Sequence, residues 1–526
     1  MSMMKKLPLI LLSLTVLFLS GTLRGQASSR ETQPVYNVMD FGARGDGLQP
    51  DTEAINSAID KASENGGGQI WFPAGTYLSF SIHLKSNIAL YFDQGATLLA
   101  ADPEKHDGGY DPPEPNIWGD SLRYQDFGHS HWHNSLIWGE GLVNVSLLGP
   151  GRIHGAGLVR HGRRTPGVGN KAIALKNCRN VIIRDLSFLM CGHFCILATA
   201  VDNLTIDNLK IDSNRDGINI DCCKNVRISN CTVNTPNDDA IVLKSSYALG
   251  YARITENLTI TNCQVSGYNP GTLLDGTFEK TQEQAPDRGG VTGRIKFGTE
   301  SNGGFRNITI SNCVFDRCRG LALETVDGGI LEDISISNLV MSDIVNSPIF
   351  IRLGRRMRGP DDVPVGKLRR VNISNIVVYG SNPRYASLIL GIPGHDIEDV
   401  KLSNVRILVR GGAPPEQAQA VVPENEDGYP DPRMFGEIPA YGFFIRHVDG
   451  IEMINVEMKL EREDPRPAFI LEDVKEARFL NVSIPEAAGR TAFRLQDVHG
   501  FNTRLCPSIP DMDLGHMDTR EIIIQE

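Results

Sequence analysis

A right-handed parallel β-helix, all-β apart from a short N-terminal capping helix, is the fold class this sequence predicts. Three observations carry it: a recurring six-residue phrase, a spacing between copies that suits one solenoid turn, and asparagine at fixed points of the phrase. The phrase reads NVSLLG from Asn144, NVIIRD from Asn180, NLTIDN from Asn203, NVRISN from Asn225, NLTITN from Asn257, NITISN from Asn307 and DISISN from Asp333. Weaker copies begin at Arg370, Asp399, Gly450 and Glu476. Successive copies lie 36, 23, 22, 32, 50, 26, 37, 29, 51 and 26 residues apart, a basic period of 22–23 with insertions. Each copy alternates apolar and polar residues, the period of a strand. A unit this short cannot close a core alone and must stack on its neighbours. Residues 34–500 therefore read as one solenoid, although length alone would suggest two or three domains.

The ends follow from local signals. Residues 1–26 read as a signal peptide: Lys5 and Lys6 precede an apolar stretch from Leu7 to Ser20 that is too short to span a bilayer. A secreted or periplasmic protein is expected, with no membrane span. Asp51 is placed to N-cap a helix whose Ile55, Ala58, Ile59 and Ala62 share one face, stopped by Gly66, Gly67 and Gly68. That helix is the lid of the first coil. Segments 102–135 and 411–440 read as long loops, and 501–526 as a C-terminal tail without a pattern.

Composition narrows the chemistry. A formal charge of −11 disfavours nucleic acid as a partner. The ten cysteines could form disulfides in an exported chain. Four of them, Cys178, Cys231, Cys263 and Cys313, directly follow Asn, so buried small side chains stacked at coil turns are the reading preferred here. The N-x-[ST] matches at Asn144, Asn203, Asn257, Asn307, Asn372 and Asn481 coincide with the repeat and read as coil turns rather than glycan sites.

The repeat is also a ruler. Thirteen residues from Asn203 lies Asp216 in SNRDGINI, and fourteen from Asn225 lies Asp239 in PNDDAIVL. Aligning the two motifs stacks Asp216 over Asp239 on adjacent coils, about 4.8 Å apart. Asp238 then points to another side of the chain. Carboxylates so close repel and are costly without a purpose such as holding a water or a metal. A cluster of two acids with a third displaced suits glycoside hydrolysis by inversion, where one carboxyl gives a proton and another activates water. His193, thirteen residues after Asn180, falls on the same count as Asp216 and is a candidate substrate contact. Trp118, His129, His131, Trp132 and His133 crowd the first long loop, where rings can stack on sugars.

Three stretches resemble glycoside hydrolase family 28, the polygalacturonase and rhamnogalacturonan hydrolase family of right-handed β-helices. They are Asn214 to Gly217 for the family's N-T-D, Asn237 to Ala240 for its D-D motif, and the opening NVMDFGARGDGLQPDTEAINSAI with GGGQIWFPAGTY. The resemblance implies that Asp238 is the general acid and that Asp216 and Asp239 hold the attacking water, with no metal or other cofactor. The departures are Gly293 near the slot of the family histidine, and Ala322-Leu323-Glu324 where the family has R-I-K. Arg294, Lys296 and Arg355, with Arg352, Arg356 and Arg358 nearby, are the candidates for gripping a uronate carboxylate. The expected protein is a monomeric, inverting hydrolase of galacturonic-acid-containing bonds in pectic oligo- or polysaccharides, exo-acting because long insertions wall the groove. Two alternatives stay open: a calcium-dependent polysaccharide lyase on the same scaffold, and a non-catalytic carbohydrate-binding β-helix.

Overall fold

The computed structural model describes residues 34–119, 123–125, 127–281, 290–485 and 488–525. The predicted signal peptide lies outside the described residues. The rest winds as a right-handed parallel β-helix whose strands pair coil over coil. Strands Arg179–Arg184, Asp202–Asp207, Lys224–Ser229 and Thr255–Thr261 stack in parallel with Val181, Leu204, Val226 and Leu258 in one row. These rows point inward and form one continuous aliphatic and aromatic core. Burying each such side chain contributes about 1.5–3 kcal/mol, so the phrase repeats because every coil needs the same inward pair.

Asparagine is at the turns because the backbone there is left-handed. Asn180, Asn203 and Asn225 have φ of 59°, 54° and 57°, a region that costs most L-residues about 1–2 kcal/mol but that Asn tolerates. Each side-chain amide also donates to the one below it, with Nδ2···Oδ1 distances of 2.9 Å for Asn180 to Asn144, 3.0 Å for Asn203 to Asn180 and 3.3 Å for Asn225 to Asn203. The sixth residue of the phrase builds a second ladder. It runs through the weak copies as well: Asn338, Asn375, Asn404, Asn455 and Asn481 each donate to the preceding member at 2.9–3.1 Å. All ten cysteines are buried and unpaired. Those following Asn turn their thiols back onto carbonyls, as Cys231 does to Ser229 at 3.2 Å and Cys263 to Thr261 at 3.3 Å.

Both ends are closed. The helix Thr52–Glu64 buries Ile55, Ala58, Ile59 and Ala62 as its periodicity predicts. Asp51 does not cap it with its side chain; the carboxylate instead accepts from the backbone N–H groups of Arg44 (2.7 Å) and Gly45 (3.1 Å). At the other end the segment read as a tail is ordered. Strand Thr491–Arg504 extends into it, and Met512–Ile523 lies antiparallel on that strand, covering the last edge. Its alternation is too polar to register as a coil, which is why the repeat does not reveal it. Among the described residues no helix is long and apolar enough to cross a membrane.

Candidate active site

The site lies at the start of a third row of strands, Phe194–Thr199, Ile218–Asp221, Ile241–Ser245, Ile295–Ser301 and Leu321–Thr325. Ile218 pairs with Ile241, which sets Asp216 over Asp239 as the ruler predicts. The Gly217 N–H donates to the Asp239 carbonyl at 3.1 Å. A Cβ at Gly217 would meet the Ala240 carbonyl oxygen at 2.5 Å, so only glycine lets the two coils approach here.

Each aspartate has a different environment. Asp238 is the most accessible, with its side chain 17% exposed, and it pairs with Arg215 at 2.6 Å. Asp239 is buried between Arg294 (Nε···Oδ1 2.9 Å) and Lys296 (3.4 Å). Asp216 is buried, and its Oδ1 has no hydrogen-bond partner. Burial, followed by the charge of Asp238, raises the Asp216 carboxyl well above the usual carboxylate range. Burial acts on Asp239 too, but Lys296 and Arg294 outweigh it and hold that carboxyl below its ordinary value. A carboxyl shifted towards its neutral form and one shifted towards its ionised form therefore stand on adjacent coils, with Asp238 beside them.

A second tier of charge supports the first. Glu324 is fully buried 3.6 Å from Arg294 and 3.5 Å from Lys296, and burial pushes its carboxyl up to about 7 in spite of both cations. Lys244 pairs with Glu300 at 2.7 Å, with Arg358 at 3.5 Å and His129 at 3.9 Å from the same carboxylate. Burial opposes ionisation of Glu300, and Lys244 reverses that, leaving it well below the usual range. The second long loop adds Tyr429, whose hydroxyl lies 3.1 Å from Thr299 Oγ1 and whose ring lies 5.5 Å from Lys296.

The structure brings Asp216, Asp238, Asp239, Arg294 and Lys296 together. It does not leave Arg294 and Lys296 open as a grip: their side chains are 3% exposed, and each sits between two carboxylates. Arg355 is half exposed and already pairs with Glu426 (3.0 Å) and Asp427 (3.1 Å). Arg352 is buried and ties down the second loop through the carbonyls of Glu424 and Asn425 at 3.0 and 3.1 Å, while Arg356 pairs with Asp327. His193 is displaced by one residue from the Asp216 row. Phe188 pairs with Ile211 but Ile196 with Ile218, so the earlier coil holds one extra residue, accommodated at Gly192 with φ of 76°. His193 faces the Arg160 carbonyl at 2.8 Å and packs edge-on against Phe194. In the first loop, Trp132 is buried with its Nε1 on Thr199 at 3.0 Å, His133 stacks on Trp138, and burial pushes His131 down to about 4. Trp118 instead joins Tyr124 and Tyr247 in an aromatic group past the end of the Ile241–Ser245 strand.

Residues 35–104 match the family described as rhamnogalacturonase A/epimerase, pectate lyase-like, and residues 160–282 match the right handed beta helix region. A probable polygalacturonase of Vitis vinifera is 26% identical over 401 residues, 70% of this chain and 74% of that protein. The chain is thus similar in sequence to polygalacturonases over most of its length. Its fold is shared by an exopolygalacturonase of Thermotoga maritima at 22% identity, a TM-score of 0.59 and coverage of 81% of this chain and 92% of that one. A family 28 exopolygalacturonase of Yersinia enterocolitica has 19% identity, a TM-score of 0.61 and coverage of 84% and 78%. Against the family motifs, Arg215 stands at the middle of N-T-D and bonds the second motif's first aspartate, a contact the sequence comparison of motifs did not single out.

Proposed function

We infer that this chain is a pectin-degrading glycoside hydrolase that acts with inversion from a chain end. The observation that carries the mechanism is the pairing of a raised carboxyl at Asp216 with a depressed one at Asp239 across one coil step. Glycosidic hydrolysis needs one protonated and one ionised carboxyl acting on the same bond, in retaining and inverting enzymes alike. Asp238, the most exposed of the three, reaches the glycosidic oxygen first and serves as general acid, as the family resemblance implies. In the free protein Arg215 holds Asp238, and the raised Asp216 carboxyl is the local store of the proton. Asp239, ionised between Arg294 and Lys296, orients and activates the water.

Exo action is supported by the loops. The first brings His129 to Glu300, and the second brings Tyr429 over Lys296, so both loops stand against the strands that carry the site. A location outside the cytoplasm fits the charged and apolar segment from Lys5 to Ser20. The test is incubation with pectic oligosaccharides of defined length, with products sized by mass spectrometry. Release of single residues from one end is expected; a ladder of internal fragments would overturn exo action, and an unsaturated uronate product would establish a lyase instead.

A further inference from the structure

The expected carboxylate grips are saturated, yet the row of the aspartates continues towards another cationic feature. Lys296 pairs with Ala322, which places Arg319 one coil beyond Gly293 and two beyond Asp239. The Arg319 N–H donates to the Thr292 carbonyl at 2.8 Å, fixing that stack. Two coil steps amount to about 10 Å, within reach of an oligosaccharide lying along the groove. Beside Arg319 a cavity of about 320 Å³ opens, and its polar lining includes Arg317, Arg384, Arg433, Asn346 and Asn382.

The charges there are only partly answered. Asp431 bonds Arg319 at 2.6 Å and Arg433 at 2.9 Å. Asp343 lies 3.6 Å from Arg317 but is closer to Arg410, at 2.6 Å. Arg384 makes no ion pair among the described residues, and its guanidinium lies 6.0 Å from the Tyr385 ring. The Arg317 Nε is buried without a hydrogen-bond partner. Burial also holds the Arg319 guanidinium below its usual value, as expected for a cation whose compensation is incomplete. Planar forks beside two amides match a carboxylate in both charge and geometry.

We propose that this arginine-lined cavity binds the carboxylate of a uronate residue and so sets the preference for an acidic sugar. The proposal rests on the hydrolase reading for its role in turnover but not for the binding itself. The cavity replaces a grip in which Glu324 now stands. Arg319 is the buried anchor, held by Asp431, while Arg317 and Arg384 are the groups with donors to spare.

The probes are D-galacturonate and D-galactose, which differ at the carboxylate, titrated into the full chain and into Arg317→Gln, Arg384→Gln and the double variant. Galacturonate is expected to bind and galactose not. The double variant should weaken galacturonate at least tenfold, the scale of a lost charge-assisted contact, and raise KM for acidic oligosaccharides by a similar factor with kcat within about twofold. Melting temperature checks that the variants fold, and exposed Arg384 provides a single substitution that leaves the core untouched. Galacturonate binding and KM that stay unchanged in a folded double variant would overturn the proposal, whether or not the chain cleaves pectin. Arginine-dependent galacturonate binding without any cleavage would support the cavity and overturn the hydrolase reading.

Discussion

Two turns of the same coils stack like residues on like at the same spacing, with opposite consequences. At one turn Asn225 lies over Asn203 and donates to it at 3.3 Å. Thirteen to fourteen residues further on, Asp239 lies over Asp216, and the pair is coupled by repulsion and burial. An amide is both donor and acceptor, so an asparagine stack satisfies itself. Two carboxylates cannot do so unless one takes a proton or cations are brought in; here Arg294 and Lys296 stand beside Asp239, and burial with the charge of Asp238 raises the Asp216 carboxyl. A self-satisfying stack is structural; a stack that needs Arg294 and Lys296 beside it is one the solenoid does not require for folding.

The largest way to break this contrast is at the acids. Asp238→Asn and Asp239→Asn should each lower kcat by about 10²–10⁴-fold on pectic oligosaccharides, the usual scale of lost acid–base catalysis, and Asp239→Asn should also lower the melting temperature because it takes a buried counter-charge from Arg294 and Lys296. Asp216→Asn should also lower activity but raise stability at pH 7. Its carboxyl is raised in the fold, so the stability linked to its proton is complete below about pH 4 and lost as pH rises through the folded value. Melting curves at pH 3.5 and 7 test this: the gain should appear only at the higher pH.

The asparagine side should respond in the reverse sense. Asn404→Ala removes bonds at 3.0 Å to Asn375 and from Asn455 and leaves alanine at φ of 54°. A loss of about 2–4 kcal/mol is expected from two hydrogen bonds and a left-handed alanine, read as a lower melting temperature with kcat and KM intact. A smaller effect is expected at Glu324→Gln. With its carboxyl raised from 4.5 to about 7, Glu324 contributes stability below pH 4.5 that fades towards pH 7. The glutamine variant should lose that part of the pH dependence, about 1–3 kcal/mol, in denaturant titrations across this range.

The sequence made much of this visible because a solenoid turns counting into position. The phrase marked the coil, and its alternation marked which residues face inward. The distance from each Asn to its aspartate correctly stacked Asp216 over Asp239. Counting failed where the coil changed length: one residue at Gly192 moved His193 off the row. It failed again where partners come from far along the chain. Nothing local announces that Asp431 bonds Arg319, 112 residues away, or that Tyr429 covers Lys296. Arg294 and Lys296 were legible as basic residues next to the acids, but only the packed structure shows them enclosed by Asp239 and Glu324. Glu324 itself was visible as a departure from a motif, and its burial gave that departure a physical meaning.

The division of roles among the three aspartates is tested most directly by proton NMR of freshly released product, followed before mutarotation. The account predicts that the new reducing end first appears with the anomeric configuration opposite to that of the cleaved bond. First appearance of the retained anomer would contradict it.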